Sequence, residues 1–198
     1  VRSVVLSVKP GDIGLERASY ASGATPSAVS QLIMAGERSR YGSGPYSLWS
    51  HSFLIVSEDG HLVEANEKGV EERHISEYAK RDVVLIDTKA SPEQRALAVA
   101  FARRQVGIGY GILDFVSLGF QSVCNWNLSF SMNQQMICSE LVARATEKYL
   151  SAYPLPAQSM MPADLAHYWG VVDKEKPPPL GWFGKFLNLL LLPRELLK

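Results

Sequence analysis

The chain is short of cysteine and of net charge, and both shortages narrow what it can be. Only two cysteines, Cys124 and Cys138, occur among 198 residues. That is too few for a disulfide-stapled secreted scaffold, and a bond between them would consume both thiols. There is no C-x-x-C pair and no Cys/His cluster at metal-ligand spacing, so no structural metal is expected. The 20 basic and 20 acidic residues cancel. No Lys/Arg run with interleaved aromatics offsets that balance, so nucleic acid is not an expected partner. Internal repeats are absent. The N-terminal apolar run, residues 1–8, lacks the length and small-residue cleavage site of a secretory leader. Free thiols without a visible leader favour a cytoplasmic setting; because the chain opens on Val1, a trimmed leader stays open. The most apolar stretch, residues 181–192, is too short to span a bilayer.

What remains is ordinary for one globular domain. Hydrophobic residues make up 46% and charged residues 20% of the chain, enough to bury a substantial core. The domain is expected over residues 1–173, followed by a stiff Pro-rich linker at 174–180 and an apolar tail at 181–198. That tail has two readings. It docks on the domain or on a second copy in a homodimer, or it lies in a membrane interface as a peripheral anchor.

Along the chain, Lys9-Pro10-Gly11-Asp12 is turn chemistry between two β-prone runs, residues 4–8 and 13–16. Residues 19–50 are rich in Ser, Gly, Ala and Tyr and read as a long loop, an insertion or lid, carrying one short helix near 27–36. A hairpin follows: strand 52–56, turn Ser57-Glu58-Asp59-Gly60, and returning strand 62–66. Residues 83–87 read as a strand apolar on both faces and hence buried. Ser91 and Pro92 start a helix that runs to about 106 and stops at Gly107-Ile108-Gly109. Shorter helices are expected at 112–118, from 138 to about 149, and at 159–169. Strands first and helices later indicate an α+β fold.

Cys138 is the most informative residue. It stands where the chain enters a helix, so its sulfur lies near unsatisfied N–H groups and the positive end of the helix dipole, a setting that favours thiolate. Cys138, Leu141, Val142 and Ala145 share one helical stripe, which turns the thiol inward. A lone inward cysteine is more often structural than catalytic, but the hairpin supplies a partner. With a two-residue turn, His51 shares a face with Glu64 and Asn66. Imidazole then takes the thiol proton, and a carboxylate or amide on its other nitrogen fixes tautomer and orientation. A three-residue turn would reverse that parity. His61, His74 and His167 read as solvated or packing residues, and Asp12 as part of the sheet turn.

Lys9-Pro10-Gly11-Asp12-Ile13, Ser50-His51-Ser52, Leu62-Val63-Glu64-Ala65, Gly109-Tyr110-Gly111-Ile112-Leu113-Asp114-Phe115 and Ile137-Cys138-Ser139-Glu140-Leu141-Val142 occur in an order that resembles the circularly permuted papain-like hydrolases of the NlpC superfamily, YiiX/YebB type. In that group the His strand precedes the Cys helix, as here, and Pro162-Ala163-Asp164-Leu165 resembles a motif that follows the Cys helix. The resemblance covers about residues 9–169. It implies an antiparallel, barrel-like sheet packed against helices, with the nucleophile at a helix N-terminus. It further implies that Cys138 is the nucleophile, His51 the base, Glu64 the third polar member and Tyr110 an aid to the oxyanion. The expected activity is a cysteine hydrolase of the peptidase or amidase type, cleaving an amide or ester through a thioester without metal or organic cofactor. The substrate is a small molecule, a peptide or a lipid-like compound. Two alternatives stand beside it: an acyltransferase acting on lipid-like substrates, and a non-catalytic binding module on the same fold.

Overall fold

The computed structural model describes residues 8–18, 28–42, 46, 48–110, 135–147 and 153–172. Their architecture is α+β. Five strands form one antiparallel sheet: β1 (Ile13–Arg17), β2 (Trp49–Ile55), β3 (His61–Asn66), β4 (Gly69–His74) and β5 (Val83–Ile86), in the spatial order β4-β3-β2-β1-β5. Two short strands, β6 (Gly109–Tyr110) and β7 (Gln135–Met136), pair in parallel. The helices are α1 (Ala28–Tyr41), α2 (Pro92–Arg104), α3 (Cys138–Thr146) and α4 (Pro162–Tyr168), with 3-10 turns at Ile75–Tyr78 and Ala157–Ser159.

The hairpin loop has four residues. Val56 N–H bonds His61 O at 2.8 Å, leaving Ser57 to Gly60 to turn the chain. Gly60 takes φ +97°, a conformation that side chains resist. Four is even, so the expected parity holds and Phe53 faces Glu64 across the β2–β3 pair. Each face of the sheet has its own core. On the helix side, Ile13, Leu15, Leu54, Val56, Val63 and Ala65 pack with Leu141, Val142 and Leu165. On the other, Phe53, Ile55 and Leu62 pack with Val8 and Tyr78. Gly14, opposite Phe53, has a steric reason to be glycine: a Cβ there would lie 2.0 Å from the Phe53 ring.

Several expectations change. β5 is an edge strand, so Val83, Val84 and Leu85 are only half-buried and Ile86 alone is buried; apolar character on both faces did not mean burial on both. The charged run Glu71-Glu72-Arg73-His74, not foreseen as regular structure, lies in β4, the opposite edge. Charged side chains suit an edge exposed to water. The helix expected near 27–36 extends to Tyr41 and buries Ile33, Met34, Ala35 and Glu37. At Gly36 it approaches α4 so closely that a Cβ would meet the Met161 methyl at 2.9 Å. The last helix starts at Pro162 and is preceded by a separate 3-10 turn. α2 forms as expected: Ser91 Oγ accepts from Gln94 N–H, and Gln94 Oε1 accepts from Ser91 N–H at 2.8 Å. It ends at Arg104. The expected strand at 4–8 lies outside the described residues except for Val8; the helix at 112–118, Cys124 and the 181–198 tail lie wholly outside them. Among the described residues, no helix is long and apolar enough to cross a membrane.

Candidate functional site

α3 starts on Cys138. Leu, Ala, Glu and Arg favour helix, Glu140 sits in the first turn where the dipole favours an anion, and Arg144 pairs with it at 2.8 Å. The preceding Ile137 makes no side-chain cap hydrogen bond, so the first-turn N–H groups keep their positive character beside the sulfur. The helix packs on β2, and Cys138, Leu141, Val142 and Ala145 are all buried. Cys138 is a free thiol, only 1% exposed.

His51 comes from β2 at a defect in the sheet. β1 Glu16 opposes His51 and Arg17 opposes Trp49, so Ser50 has no partner on β1. Such a β-bulge re-aims neighbouring side chains. Here the imidazole meets both sides: Glu64 from the Phe53 face of the sheet, and Cys138 from the helix layer. Its Nε2 lies 2.8 Å from Glu64 Oε2. With Nε2 engaged there, Nδ1 is the nitrogen left for the thiol.

Glu64 is 3% exposed and held on both oxygens. Oε2 accepts from Tyr78 as well as pairing with His51; Oε1 accepts from Asn66 Nδ2 at 3.1 Å and lies 3.6 Å from an Arg73 guanidinium nitrogen. Burial alone would push this carboxyl up. The hydrogen bond and charge of His51, with the Tyr78 and Asn66 donors, outweigh it and hold Glu64 down at about 2. For His51, burial would favour the neutral ring. The hydrogen bonds and negative charges of Cys138 and Glu64 overcome that and raise it to about 10. Burial likewise favours the Cys138 thiol, yet His51 and the Ser52 backbone N–H hold it below the ordinary thiol range. Ser52 Oγ is buried without a well-formed hydrogen bond of its own, and acts on the sulfur as a nearby dipole. All three shifts favour one charge state: thiolate, imidazolium, carboxylate.

Of the residues singled out in the sequence, Cys138, His51 and Glu64 come together. Tyr110 is brought near through its backbone: β6 pairs with β7 so that Tyr110 opposes Met136, two residues before Cys138. His167 is elsewhere, its ring 4.9 Å from that of Tyr46 and 5.6 Å from that of Tyr41. His61 and His74 face each other across β3 and β4. Asp12 pairs with Arg95 at 2.7 Å and accepts from Lys9 N–H at 3.0 Å, tying the first turn to α2. Among the described residues no cluster of His, Cys, Asp or Glu is arranged to hold a metal ion.

Three neighbours went unnoticed in the sequence. Tyr78, in the charged stretch after β4, gave no periodic signal. Ser52, adjacent to His51, read as a plain strand residue. Glu37 is wholly buried on α1; its Oε1 accepts from Ala163 N–H at 2.8 Å, and burial, with the charges of Asp164 and Cys138, pushes its carboxyl well up. A carboxyl so placed favours its neutral form. No family model matches the chain, and comparison with curated proteins finds no match.

Proposed function

We propose that this protein is a cysteine hydrolase cleaving an amide or ester bond on a permuted papain-like scaffold. One observation carries the reading. A single imidazole, held through Nε2 by a buried carboxylate 2.8 Å away, interacts with a buried thiol at a helix start. A structural cysteine has no need of such a partner, whereas an activated nucleophile requires a base that is itself oriented.

The chemistry follows from the charge state. His51 takes the thiol proton before substrate arrives, and the Cys138 thiolate attacks the carbonyl carbon. Negative charge develops on the carbonyl oxygen near the N-terminal N–H groups of α3, which stabilise it. The C–N or C–O bond breaks as His51 gives its proton to the leaving group, forming a thioester on Cys138. His51, neutral again, removes a proton from water, whose attack releases the acid and restores the thiolate–imidazolium pair. Glu64 stays ionised throughout and supports the imidazolium.

Trapping the acyl-enzyme tests this. Incubation with an activated acyl ester, quenched in acid and analysed by intact-mass spectrometry, is expected to add one acyl group that peptide mapping locates on Cys138. The adduct should be absent in Cys138→Ser. In His51→Ala its formation should slow by about 10²–10⁴-fold, the range for a positioned acid–base group. Acylation that is indifferent to both substitutions would refute the proposal.

A further inference from the structure

Glu64 Oε2 receives two donors, His51 Nε2 and the Tyr78 hydroxyl. The second is not incidental. Tyr78 is buried, 5% exposed, and its ring is fixed without help from the bond it makes. The Phe53 ring centroid lies 4.7 Å away, the Arg81 guanidinium sits 4.8 Å above the ring, and the His51 ring runs parallel at 6.4 Å. Arg81 is in turn paired with Glu16, the β1 residue opposite His51. The 3-10 turn that carries Tyr78 is anchored at its start: His74 Nδ1 accepts from Ser76 N–H at 3.2 Å, and Glu77 bonds Arg73. Tyr78 is therefore a rigid donor aimed at one oxygen of one carboxylate. That oxygen is the one the imidazole needs.

We infer that Tyr78 is a positioning residue for the Cys138–His51 pair, acting through Glu64. A carboxylate held on Oε1 alone by Asn66 can turn about its last torsion. A second hydrogen bond on Oε2 stops that rotation and fixes the direction in which His51 Nε2–H points. The ring plane, and with it the approach of Nδ1 to the sulfur, follows. The inference rests on the hydrolase reading of the site and adds a fourth member to it.

The test compares wild type, Tyr78→Phe, Glu64→Gln and the double variant, reading the pH dependence of Cys138 alkylation alongside thermal unfolding. Tyr78→Phe keeps the ring packing and removes only the hydroxyl. Expected is a folded protein whose thiol titrates at higher pH and whose alkylation below that pH is about tenfold slower, as for loss of one hydrogen bond to a charged group. In the Glu64→Gln background, Tyr78→Phe should change the profile no further, because its route is gone. A variant that loses thermal stability but keeps the wild-type thiol profile would overturn the inference and make Tyr78 merely structural. So would an effect that persists in full without Glu64. Should Tyr78→Phe fail to fold, a fluorotyrosine at position 78 keeps ring and hydroxyl while strengthening the donor. It is expected to shift the thiol profile, and an unshifted profile overturns the inference. These failures leave the hydrolase proposal standing. That proposal fails separately, taking the inference with it, if the wild-type thiol is already ordinary and indifferent to His51.

Discussion

At the scale of single residues, Glu64 shows how much a fold can invest in one carboxylate. Burial opposes its charge, yet four groups gather on it, and the result is a carboxyl held down at about 2. The sign of the linked stability follows. The folded value lies below the ordinary 4.5, so the stabilisation is present in full above about 4.5 and is lost as pH falls towards about 2. Glu64→Gln removes that titration. It is expected to cost about 1–3 kcal/mol at neutral pH by leaving buried donors poorly paired, and to lose less stability than wild type on acidification. Thermal unfolding between about pH 5 and pH 2.5 checks this; parallel slopes in the two proteins would refute it. Cys138, His51 and Glu64 were legible in the sequence because each sits on an element with strong local grammar: a helix start, a strand and a tight hairpin. Glu37 was not. A carboxylate in a run ending Gly36-Glu37-Arg38 reads as solvated, and only the packing of α4 over α1 buries it.

At the scale of elements, hairpin parity and helix start together deliver His51 and Cys138 to one place. The hairpin expectation survived although its loop has four residues, because any even loop preserves the pairing. The bulge at Ser50 was invisible in the sequence, since it arises from the pairing of β2 with β1, two segments more than 30 residues apart. β4 was missed for a related reason: edge strands carry charges that resemble those of loops. The 3-10 turn bearing Tyr78 is too short for periodicity to mark. α1 and α4 are joined by Asp164, buried and bonded to Arg40, to Tyr41 and to Met161 N–H at 2.7 Å. Arg40→Met is therefore expected to destabilise the fold by about 3 kcal/mol, leaving a buried carboxylate without its cation. Denaturant unfolding should show it, and Arg40→Met with Asp164→Asn should recover part of the loss. A double variant no more stable than Arg40→Met would argue that the pair is not coupled.

At the scale of the whole molecule, strand-first order was enough to indicate α+β, and the five-stranded antiparallel sheet with helices on one side agrees. The thiol lies where the helix layer meets the sheet, under α3, with the carboxylate and Tyr78 on the sheet's other face. His51 links the two layers at the bulge. Neither core alone contains these residues, and a reading along the chain shows neither the bulge at Ser50 nor the bond from Tyr78 to Glu64.

The most direct test of this account is a pH titration of the Cys138 thiolate in wild type and His51→Ala. Ultraviolet thiolate absorbance and iodoacetamide alkylation both report it, with Cys138→Ser as the blank. Wild type is expected to titrate below the ordinary thiol value of about 8.5, and His51→Ala at or above it, because a buried thiol without its imidazole favours the neutral form. An ordinary wild-type titration that does not move when His51 is removed would contradict it.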